Sequence, residues 1–531
     1  MKVFQQFLQL LTALLPLSSI LLSLILTPTF ASAANSGDVD LDNDGLIEIE
    51  TLEELNQMRY NLFGTSLTDE YGDSNSEGCP ASGCFGYELV NDLDFDTNGN
   101  GKLFDDPFWN NRRGWEPVGT EQFPFQAMFE GNNHEIRNLY IHRTDETCTG
   151  LFGAMTGIAI KNLTLTGPLA KIYAGTGAGS LVGCIVLNTF DTDLKDNIIK
   201  NNHSNVSISG KNNIGGLIGQ ISTSYANTYI LNNSASGVVQ GSFAVGGLIG
   251  DTEVFTEFSF LVITNNFRSG PTYGDTNVGG LIGYHVTDIG GISTVTYGTV
   301  EGRVTGVKNV GGLIGEVSLH SYVSRNIAQL TNSSSSARVI AKGNRAGGLI
   351  GLVAITGEKD ITRLSISTSW ASGMVEGVDE VGGLIGGLYA GDTIEQKNTY
   401  ATGKVIGNQS VGGLIGHIGT SEREKNTFAN NYALGTVRGN NDTGGLVGSV
   451  KIREITDWYP DEERGFMRAY ENYWDTETTR QSDSAIGDGY TSAELKCPQQ
   501  PEDPTCMTIL YHGWSSSIWD FGTSSEYPKL R

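Results

Sequence analysis

Asn398-Thr399-Tyr400-Ala401-Thr402-Gly403-Lys404-Val405-Ile406-Gly407-Asn408-Gln409-Ser410-Val411-Gly412-Gly413-Leu414-Ile415-Gly416 is one copy of a repeat that fills the middle of this chain. Its closing pentapeptide, GGLIG, also starts at Gly215, Gly246, Gly279, Gly311, Gly347 and Gly382, and recurs as GGLVG at Gly444. The spacings are 31, 33, 32, 36, 35, 30 and 32 residues. Degenerate copies read TGLFG from Thr149 and GSLVG from Gly179. Seven residues before each regular copy stand Ile208, Val239, Thr272, Val304, Ile340, Val375, Val405 and Val437, all β-branched. Five residues before it stands Gly, with Lys342 the exception. Fourteen residues before it stand Asn201, Asn232, Asn265, Asn398 and Asn430, with Tyr297, Ser333 and Thr368 in the other copies. Asn202, Asn233, Asn266 and Asn431 form the next column.

Short β-branched runs punctuated by Gly are strand-and-turn chemistry, not helix chemistry. The pattern predicts an all-β fold, a right-handed parallel β-helix or β-solenoid of about ten coils. Stacked coils bring each column into contact with itself about 4.8 Å away. Identical Leu and Val then pack on one another, and identical Asn hydrogen-bond along the stack. The Gly columns fit positive-φ turns or close backbone approach. A shorter period of 24 residues, Ile136–Ile141 recurring at Ile160–Leu165, extends the pattern towards the N-terminus. A β-propeller is the alternative, for which about 32 residues is short for a blade. Nineteen regular positions leave 11 to 17 variable residues per copy, such as Asp251–Thr264 and Glu316–Asn332, where solenoids carry insertions and binding faces.

The GGLIG copies, each preceded by a stretch such as Gly403-Lys404-Val405-Ile406-Gly407, resemble the GLUG motif of bacterial exported and surface proteins. The flanks Asp44–Ile49, Phe129–Asn132 and Asn472–Asp475 are similar to those of such proteins. The resemblance implies a surface or secreted protein. It does not choose between adhesins and peptidases, which both carry such repeats.

The N-terminus reads as an export signal. Lys2 precedes an apolar run from Phe7 to Leu26, and Ala31-Ser32-Ala33 fits a signal-peptidase site with Ala34 first in the mature chain; an uncleaved anchor is the alternative, against which Pro16 interrupts the run. Residues 34–145 read as an N-terminal cap with the first coils, 146–450 as the repeat solenoid and 451–531 as a C-terminal cap. Both ends depart from the repeat and carry six of the seven Trp. The mature chain shows no further apolar segment of membrane-spanning length.

With 34 Lys+Arg against 59 Asp+Glu, the net charge is −25. That balance argues against nucleic acid as a partner and suits calcium. Export permits disulfides. Six cysteines allow 15 pairings; in the simplest, Cys79/Cys84 and Cys497/Cys506 form local bridges and Cys148 and Cys184 link neighbouring coils.

Two loops carry calcium-type oxygen spacing. Asp94, Asp96, Asn98, the Asn100 carbonyl and Asp105 at the twelfth position form one. Asp40, Asp42 and Asp44 with Gly45 begin another, whose twelfth position is Thr51 and to which Glu48 could contribute. Calcium is therefore expected as a structural ion. Catalytic equipment is scarce. His134-Glu135 lacks the second histidine of a zinc-protease helix, and no GxSxG elbow or phosphate loop occurs. His417 reads as a surface residue. Asp379-Glu380 and Glu358-Lys359-Asp360 are the carboxylate groups a polysaccharide lyase or hydrolase would need. Trp370, Tyr400 and Tyr432 share a column suited to stacking on sugar rings or on one another. The reading is an exported surface or secreted adhesin-like protein that contacts a glycan or a surface protein through its variable loops. A carbohydrate-active enzyme is the alternative.

Overall fold

In a computed structural model, the repeat forms a parallel β-solenoid, with each coil making three faces. Residues 37–186, 196–256, 259–321, 324–357, 361–421, 424–453, 467–496, 510–523 and 525–531 are described. The export signal, Cys497, Cys506, Trp458 and Glu358-Lys359-Asp360 lie outside them.

One coil shows the plan. Thr228–Leu231 and Ser234–Ala235 form the first face, Val239–Gln240 and Phe243–Gly246 the second, and Ile249–Val254 the third. Each strand pairs in parallel with its counterpart in the next coil. Ile230 meets Ile263, Val239 meets Thr272 and Ile249 meets Ile282. The third face is a single ladder of ten strands, from Phe152–Met155 to Val447–Arg453. Neither a propeller nor a barrel describes this stack, because the coils succeed one another along one axis.

The side chains explain the shape. Leu217, Leu248, Leu281, Leu313, Leu349, Leu384, Leu414 and Leu446, one from each GGLIG or GGLVG, are all buried. Burial of a Leu contributes roughly 1.5–3 kcal/mol, so the column is a main source of cohesion. The pentapeptide's glycines answer to space. A Cβ on Gly247 would stand 2.0 Å from the carbonyl oxygen of Gly280, one coil on, and one on Gly246 would stand 1.7 Å from that of Ile249. Left-handed backbone falls elsewhere, on Asn201, Asn232, Asn265, Asn398 and Asn430 at one corner and on Asn213, Ala244, Asn277 and Asn309 at another. Asn tolerates that region better than most residues with a Cβ.

Two asparagine ladders hold the first corner. The outer one is exposed: Asn232 donates to Asn201 at 3.1 Å and Asn265 to Asn232 at 2.9 Å. The inner one is buried. Asn202 donates its side-chain amide to Asn233 Oδ1 at 3.1 Å and to the Ile160 carbonyl at 3.1 Å. Further along, Ser333 and Ser369 hydroxyls accept the corresponding backbone amides, and Asn431 resumes the role.

The fifth regular copy corrects the expected columns. Val304 pairs with Val339 and not with Ile340, and Gly306 pairs with Ala341, so Lys342 is not in the glycine column. Left-handed Asn332 takes the corner, moving Ser333 into the inner ladder. One extra residue in the turn between Ala341 and Ala346 causes the slip. The variable segments are also mainly strands. Glu316–Asn332 holds most of Ile314–Ser321 and all of Asn326–Thr331, with Val317, Leu319, Ala328 and Leu330 buried.

Stacking extends past the regular repeat at both ends. Leu46–Ile49, Gly86–Leu89 and Met128–Glu130 are parallel neighbours, as are Asn426–Ala433, Met467–Asp475 and Asp488–Tyr490. One hydrophobic interior runs from Ile47 to Ile486. A separate cluster of Tyr432, Tyr473, Tyr511, Trp514 and Trp519 seats the C-terminal segment on the outside of the first face. Disulfides join Cys79 to Cys84 and Cys148 to Cys184. Among the described residues no helix is long and apolar enough to cross a membrane.

Candidate functional site

The outward side chains of the third face are free to vary, because the ladder needs only their backbone. One column carries Gln220, Asp251, Tyr284 and Glu316, and the next but one mixes Ser222, Glu253, Val286, Ser318 and Ala354. Gly387 and Gly419 interrupt these columns. Beside Gly419 lies a groove of 730 Å³, lined also by Tyr389, His417, Thr420, Glu424, Lys451 and Arg453, among others.

Tyr389 lies across the floor. A Cβ on Gly419 would stand 3.0 Å from its Cδ1, and one on Gly387 would stand 3.3 Å from its Cε2. Its hydroxyl donates to Glu380 Oε1 at 2.6 Å, and Arg345 Nε donates to Glu380 Oε2 at 2.8 Å. The Arg345 guanidinium sits 5.1 Å from the Tyr389 ring centre. His417 packs at 5.5 Å on the other side and shares a 2.8 Å hydrogen bond with Ser449. Burial pushes the His417 pKa down and that of Tyr389 up, so both are neutral at pH 7. Glu424 is engaged within its own turn, accepting from Thr420 and from Ser421. Lys451 and Arg453 are exposed, and no carboxylate of the described residues pairs with either.

The acidic residues converge at the other end of the stack. Asp40, Asp42 and Glu48 bring carboxylate oxygens within 4.8 Å of one another, as do Asp42, Asp44 and Glu88. Glu48 and Glu88 are register partners on adjacent strands, and Glu130 follows in the same column. Like charges directly opposite in a ladder repel. Burial, with the charges of Glu88 and Asp40 adding, raises the Glu48 pKa to about 7. Glu88 is raised too, chiefly by burial. Backbone amides orient the loop: Gly45 donates to Asp40 at 3.0 Å, Asp44 to Asp42 at 3.1 Å, and Leu41 to Glu48 at 2.7 Å. The sequence pattern missed Glu88, which lies 40 residues beyond Glu48 and is brought in by the coil.

The Asp94 loop is built differently. Asp94 accepts from the Asp96 amide at 2.9 Å and from Asn138 at 2.8 Å. Asp96 accepts from the amides of Asn100 and Gly101, Asn98 from that of Asn100, and Asn100 donates to Asp105 at 2.8 Å. Its carboxylates thus accept from backbone and asparagine amides, and the convergent acidic groups are those around Asp42.

The aromatic column is a ladder. Trp370 and Tyr400 stack at 5.8 Å and 3°, Tyr400 and Tyr432 at 4.9 Å and 7°. Trp514 and Trp519 cover Tyr432, whose hydroxyl donates to the Pro528 carbonyl.

No known family's sequence profile matches the chain. Two curated proteins share stretches with it. One, named as a Gly-rich membrane protein of Evansella cellulosilytica, is 37% identical over 79 residues, 14% of this chain and 9% of that protein. The other, halomucin of Haloquadratum walsbyi, is 29% identical over 134 residues, 25% of this chain and 1% of that protein. The chain therefore matches a small fraction of either relative's length. A solved structure from Bacteroides ovatus, described as an immunoglobulin A1 protease, aligns over 92% of both chains at 13% identity with a TM-score of 0.29.

Proposed function

We propose that this chain is an exported surface or secreted binding protein, adhesin-like in class, whose partner is an extracellular glycan or a surface protein. The observation that carries this reading is the division of labour around each coil. Leu, Val, Asn and Gly columns are consumed by stacking, while the outward third face varies from coil to coil and opens into a groove beside Tyr389. The signal-like N-terminus, the two disulfides and the GLUG-type repeat support export. Binding accounts for the groove better than turnover does, because Glu380 is already held by Arg345 and Tyr389. Calcium enters as a structural ion of the N-terminal coils, held by Asp40, Asp42, Asp44, Glu48 and Glu88, with the Asp94 loop a second, separate candidate. A glycan and matrix-protein binding screen with the mature chain tests the reading. Specific capture of one ligand class supports it, and a blank screen with folded protein removes it.

A further inference from the structure

The groove on the third face has a chemistry of its own, and a ligand assigned to it deepens the binding reading and rests on it. Its floor crosses four successive strands, Ile350–Gly357, Ile385–Ala390, Ile415–Ser421 and Val447–Arg453. At about 4.8 Å between strands, that is a trough about 14 Å across the stack. An elongated ligand fits such a trough better than a compact one.

Three features select the ligand. First, Gly387 and Gly419 carry no side chain, and the Tyr389 ring lies against both. An aromatic ring held at both edge and hydroxyl presents a rigid apolar patch beside polar groups, the surface that sugar rings use. Second, hydroxyl and imidazole groups line the walls: Thr420 and His417 beside Tyr389. Third, the charge is reversed relative to the chain. In a protein of net charge −25, the groove has Lys451 and Arg453 exposed at one side without carboxylate partners among the described residues. Its lining carboxylate, Glu424, is engaged within its own turn, and Glu380, on the Tyr389 hydroxyl, is held by Arg345. A cationic rim on an acidic molecule recruits an anion and fixes its orientation.

A peptide fits less well. The third-face strands are paired on both sides in the groove, so no backbone edge is open for strand addition. We infer that the groove binds an acidic polysaccharide, with a sugar ring over Tyr389 and its carboxylate on Lys451 and Arg453.

Titration of the mature chain with polygalacturonate oligosaccharides, a neutral glucan of similar length and poly-glutamate tests this. The uronate is expected to bind, the glucan to bind at least tenfold more weakly, and poly-glutamate not to compete. The double variant Lys451→Gln/Arg453→Gln and the single variant Tyr389→Ala should each weaken uronate binding at least tenfold with unchanged melting midpoints. Should Tyr389→Ala unfold the coil, the Lys451/Arg453 variant still decides, since both side chains are exposed. Equal binding of glucan and uronate, competition by poly-glutamate, or full binding by the double variant overturns the inference. If uronate fails while the screen finds a neutral glycan or a protein, the inference falls and the binding reading stands. If every ligand fails, both fall.

Discussion

Asn233 and Asn266 sit one coil apart and share a single oxygen. Asn266 Oδ1 accepts both the backbone N–H of Asn233, at 2.9 Å, and its side-chain amide, at 3.2 Å. The same Asn233 amide group also donates to the Ile199 carbonyl of the preceding coil at 2.9 Å. Asn233 thus ties three coils together in the interior. We expect Asn233→Ala to cost about 1–3 kcal/mol, the range for a buried group left unsatisfied. Asn232→Gly, at the exposed outer corner with φ of 58°, should cost under about 0.5 kcal/mol. Paired chemical melts of the two variants check the contrast, and equal losses would place the ladder's strength in the wrong column.

The Leu column predicts a harsher outcome. Leu281 is fully buried, with Leu248 and Leu313 as its neighbours along the stack. Leu281→Asp puts a charge into that column without a partner and should break the stack locally. Gly280→Ala should also destabilise, because its Cβ would stand 2.1 Å from the Gly312 carbonyl oxygen, a backbone atom, and 2.4 Å from Val300 Cγ1. Limited proteolysis should cut near the altered coil in both. An unchanged melting curve for Leu281→Asp contradicts this packing.

The repeat made the architecture legible because identical side chains meet in a stack, so register could be counted from Leu281 and its seven counterparts. Counting failed where a turn gained one residue: Ile340, Lys342 and Ser333 were each displaced by one. The strands of Asp251–Thr264 and Glu316–Asn332 form no recurring column for another reason. Their strands must only point apolar residues inward, and Val, Leu, Ala and Ile serve equally, so no identity recurs. The second left-handed corner was invisible likewise, since Asn213, Ala244, Arg345, Glu380 and Asp442 share a conformation and not a side chain. The Tyr389 groove is lined by Gly419 in an outward column, whose meaning appears only once the column is known to face outward. His417, which reads as an ordinary surface residue, acquires its setting from Tyr389 and Ser449 in the same way.

A calcium ion held at the Glu48–Glu88 pair would be coupled to pH. Glu48 titrates at about 7 in the fold against an ordinary 4.5, so the folded state holds its proton more tightly than the unfolded state does. Its contribution is therefore most favourable below pH 4.5 and is lost as pH rises to about 7. Without calcium, the N-terminal coils should lose stability across that window. With millimolar calcium, the ion takes the proton's place, stability rises as RT ln(1+[L]/Kd), and the pH dependence should flatten. Glu88→Gln should weaken both effects, and Asp96→Ala should leave them intact if the Asp40 group is the site. Calorimetry that shows no heat and no melting shift with calcium in all three proteins would exclude a structural ion from these coils.

The groove also separates binding from catalysis. Asp379 and Glu380 are the carboxylates that a lyase or hydrolase reading would use, and only Glu380 belongs to the Tyr389 network. Its oxygens are both occupied, one by the Tyr389 hydroxyl and one by Arg345, so it acts as a brace for the ring. Glu380→Gln keeps an acceptor for the hydroxyl and discards the charge that holds Arg345. We expect this change to weaken uronate binding a few-fold, and Asp379→Asn to leave it unchanged. Neither the wild type nor the variants should shorten the polymer over a long incubation. Chain cleavage by the wild type that disappears in the Asp379→Asn/Glu380→Gln double variant would replace the adhesin-like reading with an enzymatic one. Weakened binding without cleavage would assign Glu380 to positioning the ring that the sugar meets.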